Sequence, residues 1–217
     1  MNPDTSQGVS RSALRQTARL LAPIGVPEER GARRWRMSSQ PEVGVVTTDL
    51  AGPSGTAIIA AFKAAKVEFV AALPDIWTSN GLLWPLSRDA GLRLVRLSKE
   101  DEGVSICSGL AYAGRRAVLL MQHTGFLDSI NAIRGAAVEY RRPVCMVVGL
   151  LGKEADRAPA ASAIYGVRLT AGILDAMDVA TFCVEGPGDV ERIAPAIDAA
   201  YATSTPLVIL LGRRVEA

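Results

Sequence analysis

One histidine, His123, is all that the 217 residues contain. A metal centre built on imidazoles is therefore excluded. The three cysteines, Cys107, Cys145 and Cys183, stand far apart in apolar runs and form no Cys-x-x-Cys pair. Three cysteines make no closed disulfide set, so they read as buried free thiols of a reducing compartment, which places the protein in the cytoplasm. No apolar run reaches the ~18 residues that a membrane span needs. Neither a Gly-x-Gly-x-x-Gly nor a Walker-type loop follows any candidate strand, so the chain brings no phosphate cradle of its own. The closest stretch, "EGPGD" at 185–189, reads as a structural turn.

Charge is scarce where the chain is most apolar and crowded at one end. Residues 1–40 hold seven Arg and no Lys against three acids, a net of +4, whereas residues 41–217 carry a net of −2. A nearly neutral folded part argues against a nucleic-acid surface. The first forty residues read as a disordered Arg-rich extension, translated from upstream of a start at Met37. A transit peptide or a basic interaction arm would share that composition.

After residue 52 the pattern becomes regular. Short apolar runs, "VEFVAAL", "LRLVRL", "AVLLMQ", "PVCMVVGLL", "VATFCV" and "PLVILLG", alternate with stretches of helical period such as "PSGTAIIAAFKAAK" and "EDEGVSICSGLAYAG". Gly81 and Pro85 interrupt the stretch 76–91, and Gly114 sits where a helix C-cap belongs. The long stretch 153–166 reads as a loop. Strands alternating with helices of ten to fifteen residues mean right-handed β-α-β units and a mostly parallel sheet. Such a sheet is covered on both faces, which explains why its strands are apolar throughout. The expectation is one doubly wound α/β domain over 41–217 with six strands.

Ligands of open α/β sheets bind at the carboxyl ends of the strands. Those ends are "ALPD" (72–75), "LSKE" (97–100), "MQHTG" (121–125) and "GLLGKE" (149–154). They gather Asp75, Glu100, Gln122, His123 and Thr124. Glu100 opens a run of three acids at a helix start, where the helix dipole alone would favour a carboxylate.

The stretch 97–133 carries more than that. A Glu ends a strand, a small-residue helix follows with Gly109 nine positions on, and the next strand ends "MQ" before a polar residue, Thr124 and Gly125. This pattern resembles the pyrimidine-binding (PYR) domain of thiamine diphosphate-dependent decarboxylases. It is most similar to the sulfopyruvate decarboxylase alpha subunit and to the matching domain of phosphonopyruvate decarboxylase. The layout extends over 53–212, and its specific part is 97–133. Relatives more often show Asn where His123 stands and Gly where Leu127 stands.

The resemblance implies a thiamine diphosphate-binding PYR-type fold and gives Glu100 a role. That glutamate bonds the ring nitrogen of the cofactor's aminopyrimidine and shares the proton that activates the thiazolium carbon. It implies cofactor contacts from Pro74, Gln122, Thr124 and Gly125. A substrate pocket would form from Asp75, Trp77, His123 and Phe126, with His123 as a second catalytic group. The family's other half, the diphosphate-binding (PP) domain, carries a Gly-Asp-Gly motif that holds Mg²⁺, and this sequence contains none. A separate beta subunit would then supply the metal and the diphosphate site, in a heterotetramer or larger, and no metal ligand is assigned to this chain. The alpha chain alone would be inactive.

The substrate implied is a 3-substituted pyruvate. In relatives the segment after the fourth strand begins Arg-Gly and carries a Gln, whereas here it reads "LLGKEADRAPAASAIYG". Lys153, Arg157 and Arg168 are the cations left to meet a second anionic group. A carboligase or lyase subunit using the same cofactor, and a non-catalytic α/β binding module, are the alternatives.

Overall fold

The computed structural model describes residues 51–217. The extension expected over residues 1–40 lies outside the described residues. Seven α-helices and six strands alternate along them: α1 (Gly55–Ala64), β1 (Phe69–Ala72), α2 (Trp84–Ser87), β2 (Arg93–Arg96), α3 (Glu100–Tyr112), β3 (Ala117–Gln122), α4 (His123–Asp128), α5 (Ile130–Ala132), β4 (Cys145–Gly149), α6 (Tyr165–Ala176), β5 (Ala180–Val184), α7 (Ile193–Thr203) and β6 (Leu207–Leu211).

All six strands are parallel, in the order β2-β1-β3-β4-β6-β5. The sheet is thus wholly parallel, where the sequence pattern foretold a mostly parallel one. The central strands β3, β4 and β6 are buried almost end to end, as two covered faces require. On one face Ile58 and Phe62 of α1, Leu86 of α2 and Ile197 of α7 pack on Val70, Val118, Val147 and Ile209. On the other, Cys107 of α3, Phe126 of α4, Leu174 of α6 and Ile133, just after α5, pack on Leu119, Met146 and Val208. The alternate residues of each strand supply the two cores, because successive side chains point to opposite faces.

Two helical segments depart from the sequence pattern. The polar "QHTG" after β3 is no extended strand end but the start of α4: Gln122 holds an extended N-cap conformation and His123 is already helical. The helical stretch that follows is not one continuous helix but is broken into α4, α5 and a π-wound segment, Ile133–Glu139. Its break lies at Ser129, whose Oγ donates to the Gly125 carbonyl at 2.7 Å; such back-bonding bends helices. The interruption at 76–91 is real: a π-wound turn, Ser79–Leu83, leads into α2. The Gly114 cap is real too, with φ of 71° and the Arg115 N–H returning to the Leu110 carbonyl. Asp189 accepts from the N–H groups of Glu185 and Gly186, so "EGPGD" is the turn it was read to be.

Candidate active site

The chain leaves β1 toward β2 on one side and returns to β3 on the other. Loops following β1 and β3 therefore diverge and open a crevice at the carboxyl ends, the usual ligand position in such sheets. The sequence-derived residues gather along this edge, and the structure gives them different tasks.

The three acids of α3 divide clearly. Asp101 accepts from the neighbouring Glu102 N–H and pairs loosely with Lys99 at 3.4 Å. Glu102 accepts from the Ser98 N–H at 2.9 Å, closing the helix start. Glu100 has no hydrogen-bond or ion-pair partner among the described residues. Its half-buried carboxylate instead lies on Gly125: a Cβ added there would stand 2.3 Å from Glu100 Oε1 and 2.4 Å from its Cδ. Only glycine at 125 leaves that space. Sequence separation hides this pairing of α3 with α4, yet both residues belonged to the expected cofactor contacts.

His123 is 5% exposed, and its Nδ1 is buried without a hydrogen bond. Burial pushes the imidazole pKa down, with the Gly149 backbone carbonyl opposing part of the shift. Its Cδ2–Nε2 edge faces Gly166 in the first turn of α6, where an added Cβ would stand 2.9 Å from both atoms. Gly166 is a contact the sequence did not disclose, because 153–166 read as loop and the glycine as its end. The helix in fact starts at Tyr165.

The remaining expected residues divide between surface, structure and core. Thr124 is exposed and donates to Gln122 Oε1 at 2.9 Å, and Pro74 is exposed at the end of β1. Asp75 is committed to its own turn: it accepts from the N–H groups of Trp77 and Thr78 at 2.6 and 2.7 Å and from the Thr78 hydroxyl. Trp77 lies against Gly149, donates to the Leu211 carbonyl at 3.3 Å, and lines a cavity of about 550 Å³ with Lys153 and Arg213. Phe126, expected in the pocket wall, is 0% exposed in the core behind α4. Helical winding from His123 onward turns it toward the sheet, so it supports the crevice without facing it.

The three candidate cations are also sorted. The Lys153 side chain is wholly buried and paired with Glu185 at 2.8 Å. Arg157 is exposed. Arg168 donates to the Ser162 carbonyl and covers the Tyr165 ring, at the mouth of α6.

No protein-family model matches the chain. Sulfopyruvate decarboxylase subunit alpha of Methanococcus maripaludis is 26% identical over 156 residues, 71% of this chain and 92% of that protein. The same subunit of Methanocaldococcus jannaschii is 26% identical over 155 residues, 71% of this chain and 90% of its own length. The chain resembles sulfopyruvate decarboxylase alpha subunits. A protein named sulfopyruvate decarboxylase, from Methanosarcina acetivorans, matches at 30% identity over 95 residues, 44% of this chain but 24% of that one. The likeness to the alpha subunits thus runs nearly their whole length, while the longer relative has most of its chain elsewhere.

Proposed function

We propose that the protein is the alpha subunit of a heteromeric thiamine diphosphate-dependent decarboxylase acting on a 3-substituted 2-oxo acid. The observation that carries this reading is Glu100. Two acids of its run are spent on the helix start, and it alone presents an uncommitted carboxylate in the crevice, on a glycine cradle. A helix-start acid would be engaged like Glu102.

The residues present fit the pyrimidine half of the cofactor. Glu100 would hold the ring nitrogen and share its proton, while Gly125 keeps the carboxylate in place. Gln122, Thr124 and Pro74 would line the same edge. Thiamine diphosphate, when bound, supplies the nucleophilic carbon and the electron sink for loss of carbon dioxide. His123 stands one helical turn or less from Gly125 and, as a neutral imidazole, would polarise the substrate carbonyl through its ring N–H. The diphosphate and Mg²⁺ would be held by a partner subunit bearing the Gly-Asp-Gly motif. The relatives support that division: some are named as alpha subunits, matched over about nine-tenths of their own length, and another carries the same named activity on one longer chain.

The test is a pair of substitutions in the complex with the partner subunit. Glu100→Gln keeps size and hydrogen bonding but cannot share a proton, and it should slow decarboxylation by ~10²–10⁴-fold. Glu102→Gln should cost little. Proton–deuterium exchange at the cofactor's reactive carbon is followed in both. Loss of exchange in Glu102→Gln alone would reassign the role, and unchanged exchange in both would refute the function.

A further inference from the structure

Gly166 stands in the first turn of α6, where its backbone makes no demand for glycine. The helix is regular there, and the glycines with left-handed φ among the described residues are Gly114 and Gly152. Glycine inside a helix lowers stability relative to alanine, so space is the reason for it. A Cβ at 166 would stand 2.9 Å from both Cδ2 and Nε2 of His123, nearer than carbon packs on ring atoms. Gly172, further along the same helix, meets nothing within 4 Å of where its Cβ would lie.

The first turn of α6 is fixed from its core side. Val167 is fully buried in the apolar layer beneath it, and the buried Thr170 donates its hydroxyl to the Gly166 carbonyl at 2.8 Å. From α4, Leu127 Cδ1 would lie 3.8 Å from the same added Cβ. A side chain at 166 would therefore turn the imidazole rather than move the helix. The ring's Nδ1 is sealed inside the fold. That leaves Nε2, on the edge beside Gly166, as the nitrogen able to meet a ligand. Turning the ring displaces that atom.

We propose that Gly166 is a positioning residue of the site: the space it leaves fixes the orientation of the His123 ring, and with it the place of Nε2. The role deepens the decarboxylase reading and rests on it for what Nε2 meets, a substrate carbonyl. The seat itself rests on the geometry alone. Glu100 offers a parallel. Glu100 of α3 lies on Gly125 of α4, and His123 of α4 lies on Gly166 of α6. Each functional side chain is thus held by a glycine of a later helix, and α6 joins the site through backbone space rather than through a side chain.

The first arm of the experiment uses the full chain, without cofactor or partner. Gly166→Ala should lower its melting temperature, whereas in a His123→Ala background the same change should raise it, since only helix propensity remains. Gly172→Ala should raise it in both. His123 is the only histidine, so its ring resonances are unambiguous. In the native protein they should titrate below the ordinary value of 6.5, and in Gly166→Ala closer to it. If Gly166→Ala alone does not fold, recovery in the double variant shows the same coupling, and no recovery overturns it. The seat is also overturned by a melting temperature that Gly166→Ala raises in the native background or lowers alike in both, or by ring resonances left unmoved. In the complex, with sulfopyruvate as substrate, Gly166→Ala should lower kcat by ~10–10²-fold with little change in KM, and should slow His123→Ala no further. Unaltered kcat, or additional slowing of His123→Ala, overturns the positioning role. A native complex that does not decarboxylate refutes the function, while melting and resonances still decide the seat.

Discussion

His123 pays for its position in a way that can be measured. The ring is buried with Nδ1 unpaired, and desolvation disfavours its charged form. As pH falls, the unfolded chain therefore takes up the proton first, near the ordinary histidine value of 6.5. Stability contributed by the neutral folded ring is whole above that pH and is lost as pH falls through the depressed folded value. Thermal melting between pH 7.5 and 5.5 should thus decline more steeply in the native protein than in His123→Asn, which does not titrate. Equal slopes would show that the imidazole is not held neutral by the fold. At this scale the sequence was informative about chemistry and poor about partners. Glu100 could be singled out because its strand-end position and the spacing to Gly109 are local. Its seat on Gly125 and the contact of His123 with Gly166 join different helices, and no local pattern encodes them. The surroundings of Asp75 and Phe126 were hidden for a related reason. Type and position suited both, but an Asx turn consumed one and helical phase turned the other inward.

Among the elements, strands were legible, while the starts of α4 and α6 were not. Apolar runs bounded by Gly, Pro and acids mark each strand, although the ladders are shorter: β4 spans Cys145–Gly149 inside the run 143–151. The start of α6 was missed because Ile164 carries no capping signal. Upstream, the connection from β4 is closed as a compact loop by one side chain. Glu154 accepts from Ser162 Oγ at 2.7 Å and from the Ala163 N–H at 2.8 Å, joining the loop's two ends. Glu154→Ala removes both bonds and should cost about 1–2 kcal/mol, a fall of about 2–8 °C in melting temperature at this size. If melting is unaffected, the loop is held by its apolar contacts, such as Ile164 on Gly152, and Glu154 is no latch.

At the largest scale, the parallel sheet and its reversal at β1 place the strand-end groups Glu100, Gln122, His123 and Thr124 along one edge, and the alternation of strands and helices made that edge foreseeable. Strand order was not foreseeable, since parallel strands with helical crossovers fit several orders. The order observed puts Glu100, Gly125 and His123 near one another, and the diphosphate half of the proposed cofactor would find no holder in this sequence, which has neither a Gly-rich phosphate loop nor Gly-Asp-Gly. Affinity for thiamine diphosphate would come largely from its charged half, through a metal and oriented backbone donors. Contacts to the pyrimidine alone are one shared proton and van der Waals area, a small part of what tight binding needs. Isothermal titration of the purified chain should accordingly give no saturable binding of thiamine diphosphate at about micromolar concentrations. Addition of the partner subunit and Mg²⁺ should restore saturable binding, and Glu100→Gln should keep most of it while losing turnover. Sub-micromolar binding by the chain alone would mean that these residues hold the diphosphate themselves, and the division of the site between two subunits would have to be abandoned.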